Sequence, residues 1–175
     1  MSNIHKFLDY IGIQTYVLRP TIKPDDKISN KTNWVELEKK VSNCKDCELH
    51  KTRTQTVFGY GNQQSDWLFI GEAPGKDEDL KGEPFVGRAG RLLNEVIFSL
   101  GLKREEVYIA NILKCRPPNN RDPLQDEIQS CTTHLEQQIK MISPKVIIAV
   151  GRVAAQHLLN SDMTMAKLRG TVHSY

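Results

Sequence analysis

Long apolar runs are missing from this 175-residue sequence. No stretch approaches the ~18 consecutive apolar residues that cross a bilayer, which excludes a membrane-spanning helix. The first 20 residues lack the apolar core of a signal peptide, since His5, Asp9 and Arg19 interrupt them, so we expect a cytoplasmic protein. No Walker lysine pattern and no GxGxxG follows a predicted strand, which argues against a nucleotide-binding α/β protein.

What is present is an ordinary globular composition, with 39% hydrophobic and 26% charged residues. The length corresponds to about one domain, large enough to bury a core without disulfides. Twenty-four Lys and Arg against 21 Asp and Glu leave a net charge of +3. This mild excess is compatible with binding nucleic acid but does not require it.

Apolar periodicity predicts a regular alternation of strands and helices. Three short apolar runs predict buried strands at 67–70, 107–110 and 146–150. Helical spacing predicts helices at 34–41, 87–100, 122–141 and 153–159. Asn33 is the expected cap of the first helix, and Asp122 followed by Pro123 the expected cap of the third. Alternating strands and helices indicate an α/β protein with a parallel sheet.

The first 30 residues differ from the rest. Residues 1–30 hold a short apolar patch and then a stretch rich in Pro, Asp, Ser and Asn, which predicts an N-terminal extension and linker. Residues 31–175 form the predicted α/β domain. Ligands of such sheets bind beyond the carboxyl ends of the strands, so the segments 71–75, 111–118 and 151–155 are the candidates for a site.

The four cysteines have the spacing of a metal site. Cys44 and Cys47 form a CxxC, and Cys115 and Cys131 follow with 15 residues between them. Four thiolates suit structural zinc and an iron–sulfur cluster equally well, and the spacing alone does not decide between them. Four unrelated cysteines are the other interpretation, whereas disulfides fit poorly with a cytosolic chain.

Three ordered motifs resemble one known family. They are Gly71-Glu-Ala-Pro-Gly-Lys-Asp-Glu-Asp79, Gly82-Glu-Pro-Phe-Val-Gly-Arg-Ala-Gly90 and Asn111-Ile-Leu-Lys-Cys-Arg-Pro-Pro118. Together with segments 57–62 and 167–170, they resemble the family 4, iron–sulfur uracil-DNA glycosylases. The resemblance runs from about residue 44 to residue 175.

The resemblance implies both fold and cofactor. It implies a three-layer αβα fold with a central, mostly parallel sheet. It also implies a 4Fe–4S cluster on the four cysteines, which has a structural role. The expected activity is hydrolysis of the N-glycosidic bond of deoxyuridine flipped out of single- or double-stranded DNA, the first step of base excision repair. A monomer is expected.

The same resemblance assigns roles in the pocket. The Asn111 amide can accept from N3–H and donate to O4 of uracil, where cytosine presents the opposite pattern; its alternative is a cap at the strand end. The Phe85 ring can stack on the base, its alternative being a core residue. Glu72 is the catalytic candidate, positioning water or offsetting charge on the sugar.

Further residues complete the expected substrate and DNA contacts. Gly71 and Ala73 are expected to bind the base, with backbone N–H groups near uracil O2. Glu78 is a further substrate-binding candidate, although acidic residues such as Glu78 and Asp79 are commonly just solvated. Phosphate contacts are predicted for a set of basic residues, for each of which a solvated surface role is the alternative: Arg88, Lys114, Arg116, Arg121 and Arg169.

One element of the family pattern is absent from the sequence. The His-Pro-Ser or His-Pro-Ala motif, whose His stabilises the departing uracil, does not occur, and we do not expect His173 to replace it. We therefore expect a chain shorter than the family by about 40–60 residues, roughly the size of a βα unit with its catalytic loop. The last strand of the sheet is then missing. The alternative function is an inactive or impaired iron–sulfur DNA-binding fragment.

A second resemblance concerns the N-terminal patch. Residues 8–20, Leu-Asp-Tyr-Ile-Gly-Ile-Gln-Thr-Tyr-Val-Leu-Arg-Pro, resemble the N-terminal peptide of the bacterial clamp-loader psi subunit, which docks on the chi subunit. This resemblance implies the chi subunit as a partner. The alternative is a small amphipathic helix that packs on its own domain.

Overall fold

A computed structural model of the chain describes residues 14–17 and 30–175, with side chains from residue 34 onward. Within these residues six strands form one sheet in the order β2-β4-β3-β5-β1-β6. The strands are β1 (Gln14–Val17), β2 (Tyr60–Gly61), β3 (Trp67–Gly71), β4 (Tyr108–Asn111), β5 (Val146–Ala149) and β6 (His173–Ser174).

The centre of the sheet is parallel. β3 pairs in parallel with β4 on one side and with β5 on the other. β2 and β1 pair antiparallel with β4 and β5, respectively. The three central strands, β3, β4 and β5, are nearly continuous apolar runs because both faces of the sheet are covered.

Helices connect the strands. They are α1 (Asn30–Ser42), α2 (Lys76–Lys81), α3 (Arg88–Ser99), α4 (Gln125–Ile142), α5 (Arg152–Leu158) and α6 (Met165–Leu168), with 3₁₀ turns at Glu48–Lys51, Arg104–Glu106 and Pro118–Asn120. The strong apolar stripe of α3 and the long one of α4 are the faces that each helix buries against the sheet.

Strand periodicity divides the core into two layers. On one face Leu68 and Ile70 pack with residues of α1, α4, α5 and α6. On the other face Phe69 packs with Leu93 and Ile97 of α3. Successive residues of a strand point to opposite faces, so the five residues of β3 serve both layers. The predicted three-layer αβα class is confirmed.

The strand predictions agree with the structure to within a residue or two, but two helix starts are wrong. α4 begins at Gln125, not at Asp122. The reason is that the Glu127 carboxylate accepts the Leu124 N–H at 2.8 Å, while the Asp122 carboxylate accepts from Arg152 at 3.1 Å. α1 begins at Asn30, so Asn33 lies inside the helix and does not cap it.

The N-terminal region contributes to the sheet. β1 lies within the stretch that the sequence predicts as extension and linker, and it pairs with both β5 and β6. The remainder of the predicted chi-binding segment 8–20 lies outside the described residues. Among the described helices, none combines the length and apolar character needed to cross a membrane.

Candidate active site and metal centre

The loops after β3 and β4 continue side by side beyond the ends of the strands. Gly71 is paired with Asn111 in the parallel register. The Ile112 N–H donates to the Gly71 carbonyl at 2.9 Å, and the Leu113 N–H donates to the Glu72 carbonyl at 3.0 Å. These bonds bring the predicted catalytic residue and the predicted base-reading residue to one place on the carboxyl edge of the sheet, where ligands of α/β sheets bind.

Gly71, Phe85 and Asn111 converge at this edge. A Cβ on Gly71 would lie 2.5 Å from Oδ1 of Asn111 and 2.7 Å from Cε2 of Phe85, closer than side chains tolerate. Asn111 is only 2% exposed. Its side-chain amide makes no hydrogen bond with any residue that the structure describes, so its donor and acceptor remain available for a ligand.

Phe85 is held in a strained backbone conformation. Its φ of 53° lies in the left-handed region, which costs a non-glycine residue roughly 1–2 kcal/mol. α3 packs directly on its backbone, since a Cβ on Gly90 would lie 2.9 Å from the Phe85 Cα. Arg104 donates to the Pro84 carbonyl at 2.5 Å and stacks 5.0 Å from the ring centroid of Tyr60. Strain retained in this way is typical of functional sites.

The Glu78 carboxylate organises the loop around this pocket. Its Oε2 accepts the Gly75 N–H at 3.1 Å, and its Oε1 accepts the N–H groups of Val86 and Gly87 at 2.9 Å each. Glu78 therefore joins the loop after β3 to the segment that carries Phe85. Glu78 is therefore not merely solvated, because these oxygens bind backbone amides, and its role in binding the substrate stays a prediction.

Asp79 has a similar role on the other side of α2. It is 2% exposed, and its carboxylate accepts the Thr54 N–H at 2.9 Å. The Gln55 N–H adds a longer contact of 3.4 Å. Asp79 thus attaches α2 to the segment between the CxxC and β2, so the expectation of a solvated Asp79 is also wrong.

Glu72 is half-buried, and two charged residues act on its carboxyl: Asp122, before α4, and Arg152, at the start of α5. Burial raises the pKa of its carboxyl; Asp122 raises it further and Arg152 opposes the rise. Arg152 Nη2 and Asp122 Oδ2 are 3.1 Å apart. Glu72 has no hydrogen-bond partner for its side chain among the described residues. Ala73 is partly buried and packs its side chain against the core.

All four cysteines of the chain are free and line one cavity. Cys44 and Cys47 lie in the turn after α1, Cys115 lies in the loop after β4, and Cys131 is on α4. Burial raises the pKa of all four thiols, that of Cys131 to about 11. Thiolates at such a place require compensating donors or a bound cation.

Two donors already point at the sulfurs. Arg53 donates from Nη1 to Cys115 Sγ at 2.9 Å and from Nη2 to the Cys44 carbonyl at 2.8 Å. The Lys114 N–H lies 3.3 Å from Cys131 Sγ. Arg53 was not singled out in the sequence, because one arginine among many carries no signal until the fold brings it to Cys115.

Lys114 connects the cysteine cavity to the backbone of Asn111. It is 1% exposed, and its Nζ donates to the Asn111 carbonyl at 2.8 Å. Burial lowers the pKa of its ammonium to about 8, opposed by the charges of Cys131 and Cys115. The prediction of a phosphate contact for Lys114 is therefore wrong, since a buried ammonium does not reach DNA.

The other predicted phosphate ligands are distributed over the surface. Arg121 forms two bonds to Glu127 at 2.6 and 2.9 Å, and Arg116 donates to Asn120 at 2.7 Å. Arg88 and Arg169 are exposed. His173 lies in β6, where its Nε2 is 2.9 Å from Thr171 Oγ1 and 3.0 Å from the Leu168 carbonyl.

His134 is the residue at the metal centre that sequence analysis most clearly missed. It is 1% exposed, lines the cysteine cavity, and has no partner for either ring nitrogen within the described part of the chain. An unmade hydrogen bond at a buried donor costs about 1–3 kcal/mol. From the sequence alone, His134 on a mid-chain helix is expected to be a structural or surface residue. The structure shows it buried, and its place beside the cysteines gave no sequence signal because its helix spacing resembles that of any core residue. A buried donor beside four thiols fits a sulfur-rich group.

Comparison of the sequence with models of known protein families shows the class of protein to which the chain belongs. The Uracil DNA glycosylase superfamily matches residues 58–174. The matched region contains the carboxyl edge of the sheet with Glu72, Phe85 and Asn111. The fold and the site thus define a member of that superfamily, as the motifs predicted.

Individual relatives identify the branch. The chain is 49% identical over 142 residues to the type-4 uracil-DNA glycosylase of Archaeoglobus fulgidus, covering 79% of this chain and 71% of the relative. It is 47% identical to that of Saccharolobus solfataricus, covering 77% and 65%, and 44% identical to that of Thermotoga maritima, covering 77% and 70%. The chain therefore belongs to the type-4 uracil-DNA glycosylases. It spans about two thirds of the length of these relatives.

Proposed function

We propose that this chain excises uracil from DNA by hydrolysing the N-glycosidic bond of deoxyuridine, as the names of its relatives indicate. The observation that supports this most directly is the meeting of Phe85 and Asn111 at Gly71. An aromatic ring and an unpartnered amide at one edge of the sheet suit a planar base with polar edges. Uracil reaches such a pocket only when its nucleotide is flipped out of the stack.

Base recognition is assigned to Asn111. Its Oδ1 accepts from N3–H and its Nδ2 donates to O4, a pattern that cytosine reverses. Because Asn111 is 2% exposed, the wrong base leaves buried polar groups unpaired, which costs about 1–3 kcal/mol for each group. Phe85 stacks on the ring, a contact worth ~1–3 kcal/mol per base. Gly71 supplies the space and, with the Ala73 backbone, the wall beside the base.

Hydrolysis is assigned to Glu72. In its ionised form the carboxylate orients a water molecule toward the sugar and offsets the positive charge that develops as the bond breaks. Arg152 favours the ionised form and Asp122 opposes it. Glu78 supports the pocket from the protein side, since its two oxygens bind three loop amides.

A 4Fe–4S cluster on Cys44, Cys47, Cys115 and Cys131 is the proposed cofactor. Four free cysteines around one cavity, with an arginine and a backbone N–H aimed at sulfur, support it. When bound, the cluster cross-links the segments after α1, after β4 and on α4, and supplies no redox step to the hydrolysis. Lys114 extends this support to Asn111. The chi subunit as a partner of residues 8–20, and the monomeric state, stay predictions.

The test uses the purified chain with single- and double-stranded oligonucleotides that contain one uracil. Alkaline cleavage reveals the abasic product. Asn111→Ala is expected to slow excision by about 10- to 100-fold, because 1.4 kcal/mol corresponds to a factor of ten. Gln137→Ala, an exposed change on α4, is the matched control. Uracil-dependent binding without product favours an inactive binding module, and binding indifferent to uracil rejects the pocket assignment.

A further inference from the structure

His134 occupies a defined place in the cysteine cavity. It lies three residues after Cys131 on α4, so both side chains project from one face of the helix. A ring nitrogen of His134, the Cys44 sulfur and a carboxylate oxygen of Asp46 lie within 4.8 Å of one another. His134 therefore lies on the Cys44 side of the cavity. No charged group among the described residues forms a hydrogen bond with its ring.

The N–H group of the His134 imidazole has no hydrogen-bond acceptor among the described residues. Neutral histidine carries one N–H in either tautomer, and here both nitrogens are buried without a partner among the described residues. Buried polar groups in native proteins are nearly always paired, and each exception points to a missing partner. The Cys44 sulfur and the carboxylate of the exposed Asp46 lie within 4.8 Å of a ring nitrogen, and the other three cysteines line the same cavity.

We propose that the His134 ring N–H donates a hydrogen bond to a sulfur atom on the Cys44 side of the cluster. This inference rests on the cofactor assigned under the proposed function. His134 acts as a positioning residue and not as a ligand, because four cysteines already supply one thiolate to each iron. Arg53 occupies the equivalent position on the Cys115 side, where its bond to Sγ is already made.

A hydrogen bond to cluster sulfur has a measurable consequence. It stabilises the reduced, more negative cluster and raises the reduction potential. Removing the donor must therefore shift the potential to a more negative value. Uracil excision need not change, because the hydrolysis involves no electron transfer.

The experiment compares reduction potentials of iron-loaded proteins on an electrode. His134→Leu is expected to shift the potential negative, and His134→Gln, which keeps an N–H, to restore most of the shift. His157→Leu is the control, since His157 is a half-buried histidine on another helix and does not line the cavity. Equal potentials for His134→Leu and wild type, with equal iron content, overturn the inference.

Wild-type protein gives a second measurement that does not depend on how the variant folds. Pulsed electron paramagnetic resonance of the reduced cluster, with ¹⁵N-labelled histidine, is expected to show a weak nitrogen coupling and an exchangeable proton. A strong coupling, typical of a directly bonded nitrogen, or no coupling at all, overturns the proposal. Protein that binds no iron overturns the cofactor assignment as well. Iron-loaded protein in which His134 gives no nitrogen coupling and no shift of the potential overturns this inference alone.

Discussion

The Phe85 ring and the Asn111 amide oxygen meet over Gly71, where a Cβ would be. Oδ1 of Asn111 and the edge of the Phe85 ring both occupy the space that a side chain at position 71 needs. Two distant parts of the sequence thereby share one small patch of backbone at the carboxyl edge of the sheet. The patch has polar and aromatic walls whose spacing depends on the absence of a single methyl group.

Gly71→Ala is expected to slow uracil excision by about 10- to 100-fold. Overpacking of this kind costs typically about 1–3 kcal/mol, and here the displaced groups are those assigned to touch the base. Excision rate and melting temperature are measured together. Gly101→Ala is the control: its φ of 76° also penalises alanine, but no atom lies within 4 Å of the added Cβ. A rate equal to that of Gly101→Ala contradicts the proposed pocket.

Glu78→Gln is expected to lower both stability and excision. A glutamine amide presents one oxygen and one NH₂ where three backbone N–H groups now meet two oxygens. At least one partly buried donor loses its partner, which costs about 1 kcal/mol in the free energy of unfolding. Chemical denaturation measures this loss. The exposed Glu95→Gln on α3 should stay within about 0.5 kcal/mol of wild type, and an equal effect of both variants would reject the role of Glu78.

The sheet was predictable because its central strands carry strong local signals. The run at 67–70 is apolar on both faces, as a covered parallel strand requires, and a glycine ends it. The two-residue strands β2 and β6 carry no such signal, since their pairing depends on neighbours far away in the sequence. The start of α4 was misplaced for a similar reason: the Asp122 carboxylate accepts a hydrogen bond from Arg152 at the start of α5, which is distant in the sequence.

The sequence predicted which residues belong to the candidate site but not which contacts they make. The motifs brought forward Glu72, Phe85 and Asn111, and the structure gathers the segments that carry them at the carboxyl edge of the sheet. The sequence did not indicate that Glu78 binds loop amides or that Lys114 is buried against the Asn111 carbonyl. Both contacts form because the chain folds back after α2 and after β4. The local spacing of residues does not show where the chain folds back.

Loss of the metal is expected to destabilise the fold. Cys131→Ala removes one of the four proposed ligands, which lie in the turn after α1, in the loop after β4 and on α4, and we expect it to lower bound iron and the melting temperature. By analogy with other cross-links the loss is about 2–4 kcal/mol. For a domain of this size that corresponds to about 5–15 °C. Thr133→Ala, two residues along the same helix and exposed, should retain both iron and melting temperature. An unchanged iron content in Cys131→Ala would contradict the four-cysteine site.

The pH dependence of excision is expected to follow the pKa of Glu72. The proposed role needs the carboxylate, so kcat/KM rises as pH rises through this pKa, which burial and Asp122 hold above the ordinary range of glutamate. Asp122→Asn removes a repelling charge and so lowers the pKa of Glu72. The acid limb of the pH–rate profile, where kcat/KM rises with pH, then moves to lower pH. Arg152→Gln removes an attracting charge and moves the limb to higher pH. Lys145→Gln, which breaks an exposed ion pair elsewhere, should leave it in place. Shifts in the same direction for Asp122→Asn and Arg152→Gln would show that another group controls the acid limb.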